Sequence, residues 1–422
     1  MLNSLCACCG INRRDFLKLA SLFSGSAVLS AAVGGCNSQP TASVGTTAGG
    51  QPNTSGGLDQ PVKIGYLPIL DASPLLIAHA QKLYEAEGLA AEQPVLFRSW
   101  AAIVEAFLAR QVNVVHLLSP VTVWLRYGRQ LPGKIVAWNH TDGSALTVQP
   151  EINQVEDLGG QTVAVPFWYS IHNVVLQQLL TQAGLTVVRK AENETIAPNE
   201  VNLVVLPPPE MVSALANKSI AGYIVAEPFN AAGETSKAGK VLRFTGDVWR
   251  NHACCVVFLH EDDITQRPQW TQGVVNAIVK SQHWMRDHRS EAAQILAKEN
   301  GSYTPHPEAV LQKVLTGFDS AAYAKQGAIQ HPEWAAQRID FQPFPFPSYT
   351  EELVRLLQQT QVEGETAFLK QLNPTEVARD LVDDSFVKQA LQQVGGPQAF
   401  GIPESLLREE TFKAQRSLSF LG

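Results

Sequence analysis

Two positions suited to shaping a binding site stand directly behind short apolar runs in the stretch 201–230, VNLVVLPPPEMVSALANKSIAGYIVAEPFN. Pro207 follows the run 202–206, and Glu227 follows the run 221–225. Proline cannot donate to a sheet ladder, so Pro207, Pro208 and Pro209 end the first run as a strand. Residues 210–217 read as a helix with Glu210 near its positive end. Strand, helix and strand in about thirty residues predict a right-handed βαβ unit of a parallel sheet. Ligands of such sheets sit just beyond the carboxyl ends of the strands, which makes Pro207 and Glu227 candidate wall residues. The cysteines are the other reactive groups: Cys6, Cys8, Cys9 and Cys36 near the start, and the adjacent Cys254 and Cys255 in the body. Cys6-x-Cys8-Cys9 has the residues of a metal cluster but falls in a segment that reads as removable. Adjacent cysteines rarely bond to each other, so no disulfide framework is expected, and Cys254 and Cys255 read as small core residues. No Gly-x-Ser-x-Gly elbow, His-Glu-x-x-His pair or phosphate loop occurs, so neither an enzyme, a cofactor nor a metal is expected.

The elements that must position these groups belong to a chain of 422 residues, 45% hydrophobic and 17% charged, enough for more than one core. A net charge of -7 and a pI near 5.8 leave no basic surplus for phosphates and argue against nucleic acid as a partner. At the start, residues 12–18, Asn-Arg-Arg-Asp-Phe-Leu-Lys, resemble a twin-arginine export signal. A moderately apolar stretch over 19–33 follows, too short and too rich in Ser, Ala and Gly for a comfortable membrane span. It closes with Val33-Gly34-Gly35-Cys36, which resembles a bacterial lipobox. Cleavage before Cys36 would leave its thiol for a diacylglycerol group and its amine for a further acyl chain, and more than one chain is what stable anchoring requires. An uncleaved anchor helix is the alternative, with the same outward placement. Residues 37–60 are mostly Ser, Thr, Gly, Gln and Pro and read as a flexible tether, which would give the body reach toward a membrane partner.

From Pro61 strand and helix alternate. Strands are expected at 62–67, 94–98, 113–117, 134–139, 146–149 and 162–165. Helices are expected from Pro74 to Glu87, over 101–109, from 120 to about 127, and over 171–183. The alternation predicts an α/β fold with parallel sheets. Beyond about 266 the pattern turns helical, over 270–286, 290–300, 307–316, 350–360 and 377–394. The run Phe341-Gln342-Pro343-Phe344-Pro345-Phe346-Pro347 reads as an extended connector packed on a lobe.

Several short motifs carry a resemblance. They are Gly65-Tyr66-Leu67-Pro68, Asp71-Ala72-Ser73-Pro74, Ser99-Trp100-Ala101, Leu118-Ser119-Pro120, Val205 to Val212, Glu227-Pro228-Phe229-Asn230 and Thr245-Gly246-Asp247-Val248-Trp249. With Phe346-Pro347, Gly401-Ile402-Pro403 and Glu410-Thr411-Phe412, they are similar in order to the nitrate-, bicarbonate- and cyanate-binding proteins of bacterial ABC importers. More distantly the chain resembles binders of aliphatic sulfonates and of a thiamine precursor. The resemblance implies a two-lobed periplasmic solute-binding protein, type II-like, with parallel-sheet lobes and a helical C-terminal extension. Lobe 1 would take 62–140, lobe 2 141–240, and 241–422 would return to lobe 1 and form the extension. The crossings would fall near 139–144 and 230–245. The implied partners are a small anion or small organic solute, the permease and ATPase subunits, and a membrane through the lipid anchor on Cys36. The implied state is a monomer in the periplasm. A sensory solute-binding subunit is a further possibility, and an enzyme of pyrimidine synthesis shares the lobe architecture but not the compartment.

The same resemblance implies an interlobe site walled by Asp71, Trp100, Ser119, Pro120, His140, Phe167, Trp168, His172, Pro207 and Glu227. Here the chain departs from the pattern. Nitrate binders carry a lysine where the count gives Cys255, and a glutamine where it gives Gly143. Their glycine-rich turn before the histidine is replaced by Phe167-Trp168-Tyr169. A buried oxyanion needs donors and positive charge, so Arg250 is the expected substitute cation. The loss of a cation and an amide points away from nitrate and bicarbonate. It points toward cyanate, an organic anion such as a sulfonate, or a near-neutral solute such as a pyrimidine. No calcium site is expected. Each residue also has a structural reading: Trp100 as core, His172 and Glu227 as helix caps, Arg250 as a solvated surface residue.

Overall fold

The chain in its computed structural model is described for residues 58, 60–191, 193–301, 303–334 and 336–413, all within one unit, 54–422. The export signal expected over 1–36, with Cys36, lies outside these residues. So does the tether over 37–61, except for 58, 60 and 61.

The chain first lays down β1 (Ile64–Tyr66), β2 (Val95–Leu96), β3 (Val114–Leu118) and β4 (Gly133–Trp138) in one sheet. A two-residue strand, β5 (Thr141–Asp142), leads across to a second sheet of β6 (Ser144–Val148), β7 (Thr162–Val165), β8 (Thr186–Val188), β9 (Glu200–Val205), β10 (Gly222–Ala226) and β11 (Lys240–Phe244). The chain then returns to the first sheet as β12 (Cys255–His260), and β13 (Ile339–Asp340) later pairs with β5. The strand orders are β2-β1-β3-β12-β4 and β11-β6-β10-β7-β9-β8.

Neither sheet is purely parallel. β12 runs antiparallel to β3 and β4, and β6 antiparallel to β10 and β11. The reason is connectivity: a strand arriving from the other lobe enters at the rim where its neighbours end, so it must run backwards. Cys255 therefore pairs with Leu118, the last residue of β3, and Ser144 with Ala226, the last residue of β10. The second crossing also lies later than expected. β11 stays in the second sheet, so the chain leaves it after Phe244 and crosses over 245–254.

The apolar strand residues are nearly all buried, as continuous runs in sheets covered on both faces must be. The helix expected from 74 to 87 breaks after Ala80, where Lys82 takes a left-handed φ of 56°. That expected over 377–394 is two helices, Pro374–Leu381 and Ser385–Gln393, because Val382 and Asp383 between them pair with Ile135 at the edge of β4. The proline–aromatic connector lies on the first lobe, with Phe341, Phe344 and Phe346 buried and the Pro343 carbonyl accepting from the Trp138 N–H at 2.8 Å. Among the described residues no helix is long and apolar enough to cross a membrane.

Candidate functional site

The strand ends of both sheets face one another across the crossing. Asp71 follows β1, Trp100 follows β2, Ser119 follows β3 and His140 follows β4. From the second sheet, Phe167, Trp168 and His172 follow β7, Pro207 follows β9, and Glu227 follows β10. Because β6 and β12 begin at this level, Ser144 and Cys255 join the same rim. The Leu70 N–H donates to the Glu227 carbonyl at 2.8 Å and ties the two rims together.

Helix caps aim two of these side chains. Ser99 caps the helix Trp100–Leu108 by accepting from the Ala102 N–H, so Trp100 occupies the first helical position. Ser170 caps Ile171–Gln182 by accepting from the Asn173 N–H at 3.0 Å, which puts His172 in the first turn. Serine at such a position satisfies one of the orphan N–H groups and fixes where the helix starts.

What gathers at the centre is a buried polar cluster. Asp71 and His140 are both fully buried, with Asp71 Oδ2 at 2.9 Å from His140 Nε2. Burial opposes the Asp71 charge, but the His140 ring outweighs it and holds the carboxyl below the usual range. Burial likewise opposes the imidazolium, and Asp71 outweighs it, lifting His140 to about 10. Cys254 Sγ lies 3.9 Å from Cys255 Sγ and 3.8 Å from His172 Nε2. Burial disfavours both thiolates, yet the contact with Cys255 draws the Cys254 thiol down while Cys255 is pushed up. His172 Nε2 also meets Ser144 Oγ at 2.9 Å. The Trp100 ring lies 5.5 Å from that of His116, whose Nε2 accepts from the Leu67 N–H. Burial pushes His116 and His252 down to about 3.

Many polar atoms here have no hydrogen-bond partner in the protein. They include Asp71 Oδ1, Trp100 Nε1, both amide atoms of Asn139, His140 Nδ1, Thr141 Oγ1, Tyr169 OH and His172 Nδ1, while Asp71 Oδ2 has only the His140 ring. Buried polar groups are normally paired, and here the unpaired ones are concentrated at convergent strand ends.

Other expected wall residues lie elsewhere or are already engaged. The Ser119 hydroxyl is 2.8 Å from Tyr349 OH and belongs to the core, and Pro120 is buried. Phe167 packs edge-on against Trp124, and Trp168 lies under the Arg189 guanidinium at 5.4 Å. Pro207 is half-buried at the start of the helix Pro208–Ala216. The Glu227 carboxylate is held by Arg338 at 2.6 Å and by the Ala231 N–H at 3.1 Å. Arg250 is exposed and lines a surface hollow with Asn251, Gln342 and Arg408. It does not replace a lysine in the buried cluster, because its position precedes the turn that enters β12. Position 143 has no room for a side chain: φ is +76°, and an added Cβ would lie 2.8 Å from Ile339. Residues that sequence reasoning missed are Cys254, Ser144, Thr141, Asn139, His116 and Arg338. Only Cys254 carried a signal, being next to Cys255 just where a strand begins.

A nitrate/nitrite-binding protein from Synechococcus elongatus is 27% identical over 68% of this chain and 70% of its own length. A nitrate import ATP-binding protein from Synechocystis is 26% identical over 56% of this chain and 36% of its own length. Among solved structures, the periplasmic nitrate-binding protein from Synechocystis superposes with a TM-score of 0.66 at 16% identity, over 84% of this chain and 94% of that one. A zinc-bound ligand-binding component of an ABC-type import system from Staphylococcus aureus gives 0.59 at 24% identity, over 79% and 99%. These likenesses establish the two-lobed periplasmic binding protein fold. The NMT1-like family matches residues 56–298, more than half of the chain, and the protein belongs to that family.

Proposed function

We propose that this protein is the extracytoplasmic solute-binding subunit of an ABC importer, holding a small solute between its lobes for a permease and an ATPase. The observation that carries this reading is the set of unpaired, buried polar groups at the facing strand ends of both sheets. A catalytic reading has no comparable support. The names of the relatives point to nitrate, nitrite and bicarbonate as the first solutes to test.

The wall offers neutral donors, chiefly Trp100 Nε1, Tyr169 OH and Asn139 Nδ2, and the His140 ring is already paired with Asp71 at 2.9 Å. The buried arginines 243 and 338 are engaged by Asp247 and by Glu227 and Glu234. A bare oxyanion is therefore expected to bind weakly, because a charge-assisted hydrogen bond is worth about 1.5–3 kcal/mol.

The test is a thermal-shift and calorimetric panel of nitrate, nitrite, cyanate, bicarbonate, short alkanesulfonates and pyrimidines. A ligand of the folded state at a hundred times its Kd stabilises by about 2.7 kcal/mol. Silence across the panel would overturn the reading. Export as a lipoprotein is part of the proposal, resting on the paired arginines and Val33 to Cys36. The Cys36→Ser variant is expected in the soluble extracytoplasmic fraction, and unchanged membrane association would refute the anchor.

A further inference from the structure

Asp71, His140, Cys254 and Cys255, all buried, each place one donor atom so that the four lie within 4.8 Å of one another. We propose that these four residues bind a single metal ion of the Zn2+ class within the cleft. The proposal rests on reading this cleft as the ligand site and names a chemistry for it.

Three observations carry it. First, the spacing suits one ion. Two thiolates at about 2.3 Å from a tetrahedral zinc stand about 3.8 Å apart, and Cys254 Sγ and Cys255 Sγ are separated by 3.9 Å. That separation is far beyond the roughly 2.05 Å of a disulfide. Second, Asp71 Oδ1 and His140 Nδ1 have no hydrogen-bond partner although their residues are fully buried, and Asp71 Oδ2 meets only the His140 ring, at 2.9 Å. The open oxygen of an acceptor-only carboxylate can take a cation. Third, the donor set is selective. Calcium and magnesium take six or more oxygens, whereas one carboxylate, one imidazole and two thiolates match zinc. The oxygen donor disfavours copper(I), which prefers sulfur alone.

All four ligands stand at strand ends of the first sheet, so the ion does not require the second lobe. His172, at 3.8 Å from Cys254 Sγ and fixed by Ser144 Oγ, approaches the thiolate from the second lobe as an outer-shell partner. Binding releases the thiol protons, and the proton that Asp71 holds on His140, to solvent.

The experiment titrates the exported chain, stripped by chelator under reducing conditions, with Zn2+ by calorimetry and with Co2+ by absorption. One equivalent of Co2+ is expected to give thiolate-to-cobalt charge transfer and tetrahedral ligand-field bands. Cys254→Ser and Asp71→Asn are expected to weaken Zn2+ by more than about 100-fold, beyond the 10–100-fold that outer-shell partners are worth. His172→Ala is expected within that lower range. Each variant is first checked for a cooperative melt in chelator; if Cys254→Ser does not fold, Cys255→Ala takes its place. Absence of thiolate bands, or Zn2+ affinity unchanged in the folded variants, overturns the metal site. The solute panel repeated in chelator separates the two readings. Solute shifts without metal binding sink this inference alone, and metal binding without any solute shift sinks the anion reading alone.

Discussion

Two buried acid–base clusters lie at the facing strand ends, and they differ in one respect. Around Glu227 the carboxylate is met by an arginine and a backbone N–H. Arg338 approaches the carboxylate with Nε at 2.7 Å and Nη2 at 2.6 Å, and the Ala231 N–H reaches Oε2. Arg338 in turn donates to Glu234 and to Tyr323 OH, which itself donates to Glu234. Around Asp71 the opposite holds. One imidazole faces the carboxylate through Oδ2, Oδ1 has no hydrogen-bond partner, and unpaired Trp100, Asn139 and Thr141 groups stand nearby in the chain and sheet. A saturated cluster has nothing left to offer a ligand and acts as a fastening. An unsaturated one has polar atoms left for a ligand.

Removing a partner from the fastening is expected to have the largest effect. Arg338→Met leaves Glu227 buried and uncompensated, and chemical denaturation is expected to show a loss of about 3–5 kcal/mol. A loss below about 1 kcal/mol would show that water reaches Glu227 and that the two clusters do not differ. Asp71→Asn is expected to cost less stability, about 1–2 kcal/mol for one charged contact, while abolishing the metal-induced shift in Tm. Equal losses in the two variants would erase the distinction. Trp100→Phe keeps the ring and removes one donor. The Kd of a cleft solute is expected to rise roughly two- to tenfold, the worth of one hydrogen bond, with the melting temperature of the free protein nearly unchanged. The smallest effect belongs to Trp168→Ala, which loses the Arg189 contact. It is expected to cost at most about 1 kcal/mol and to leave solute affinity alone. A clear loss of affinity would return Trp168 to the wall.

Local physics made much of this molecule readable. The prolines after β9, Ser99 and Ser170 as helix caps, and the apolar runs of the strands each act within a few residues. Local pattern put Pro207 and Glu227 behind their strands, whereas Trp100 and His172 were expected in the site through the family resemblance. The rule that ligands lie beyond the carboxyl ends of strands then put Pro207 and Glu227 on one rim. The sequence also set the turn at Gly143, where only glycine takes the required φ without striking Ile339.

Contacts between distant residues were decided by the fold. The direction of β6 and β12 follows from which rim the chain enters after crossing, and only that reversal brings Ser144 and Cys255 level with the other strand ends. Asp71 and His140 are far apart in the chain and meet because β1 and β4 end together. Glu227 looked like a wall residue until Arg338, from the later part of the chain, occupied it. Arg250 looked like a replacement cation, but the turn before β12 leaves it in solvent. Side-chain type and local propensity are written residue by residue, and so is the position of each group along its element. Whether a buried charge is completed by a distant residue or left for a ligand depends on long-range packing, and the tertiary structure alone decides it.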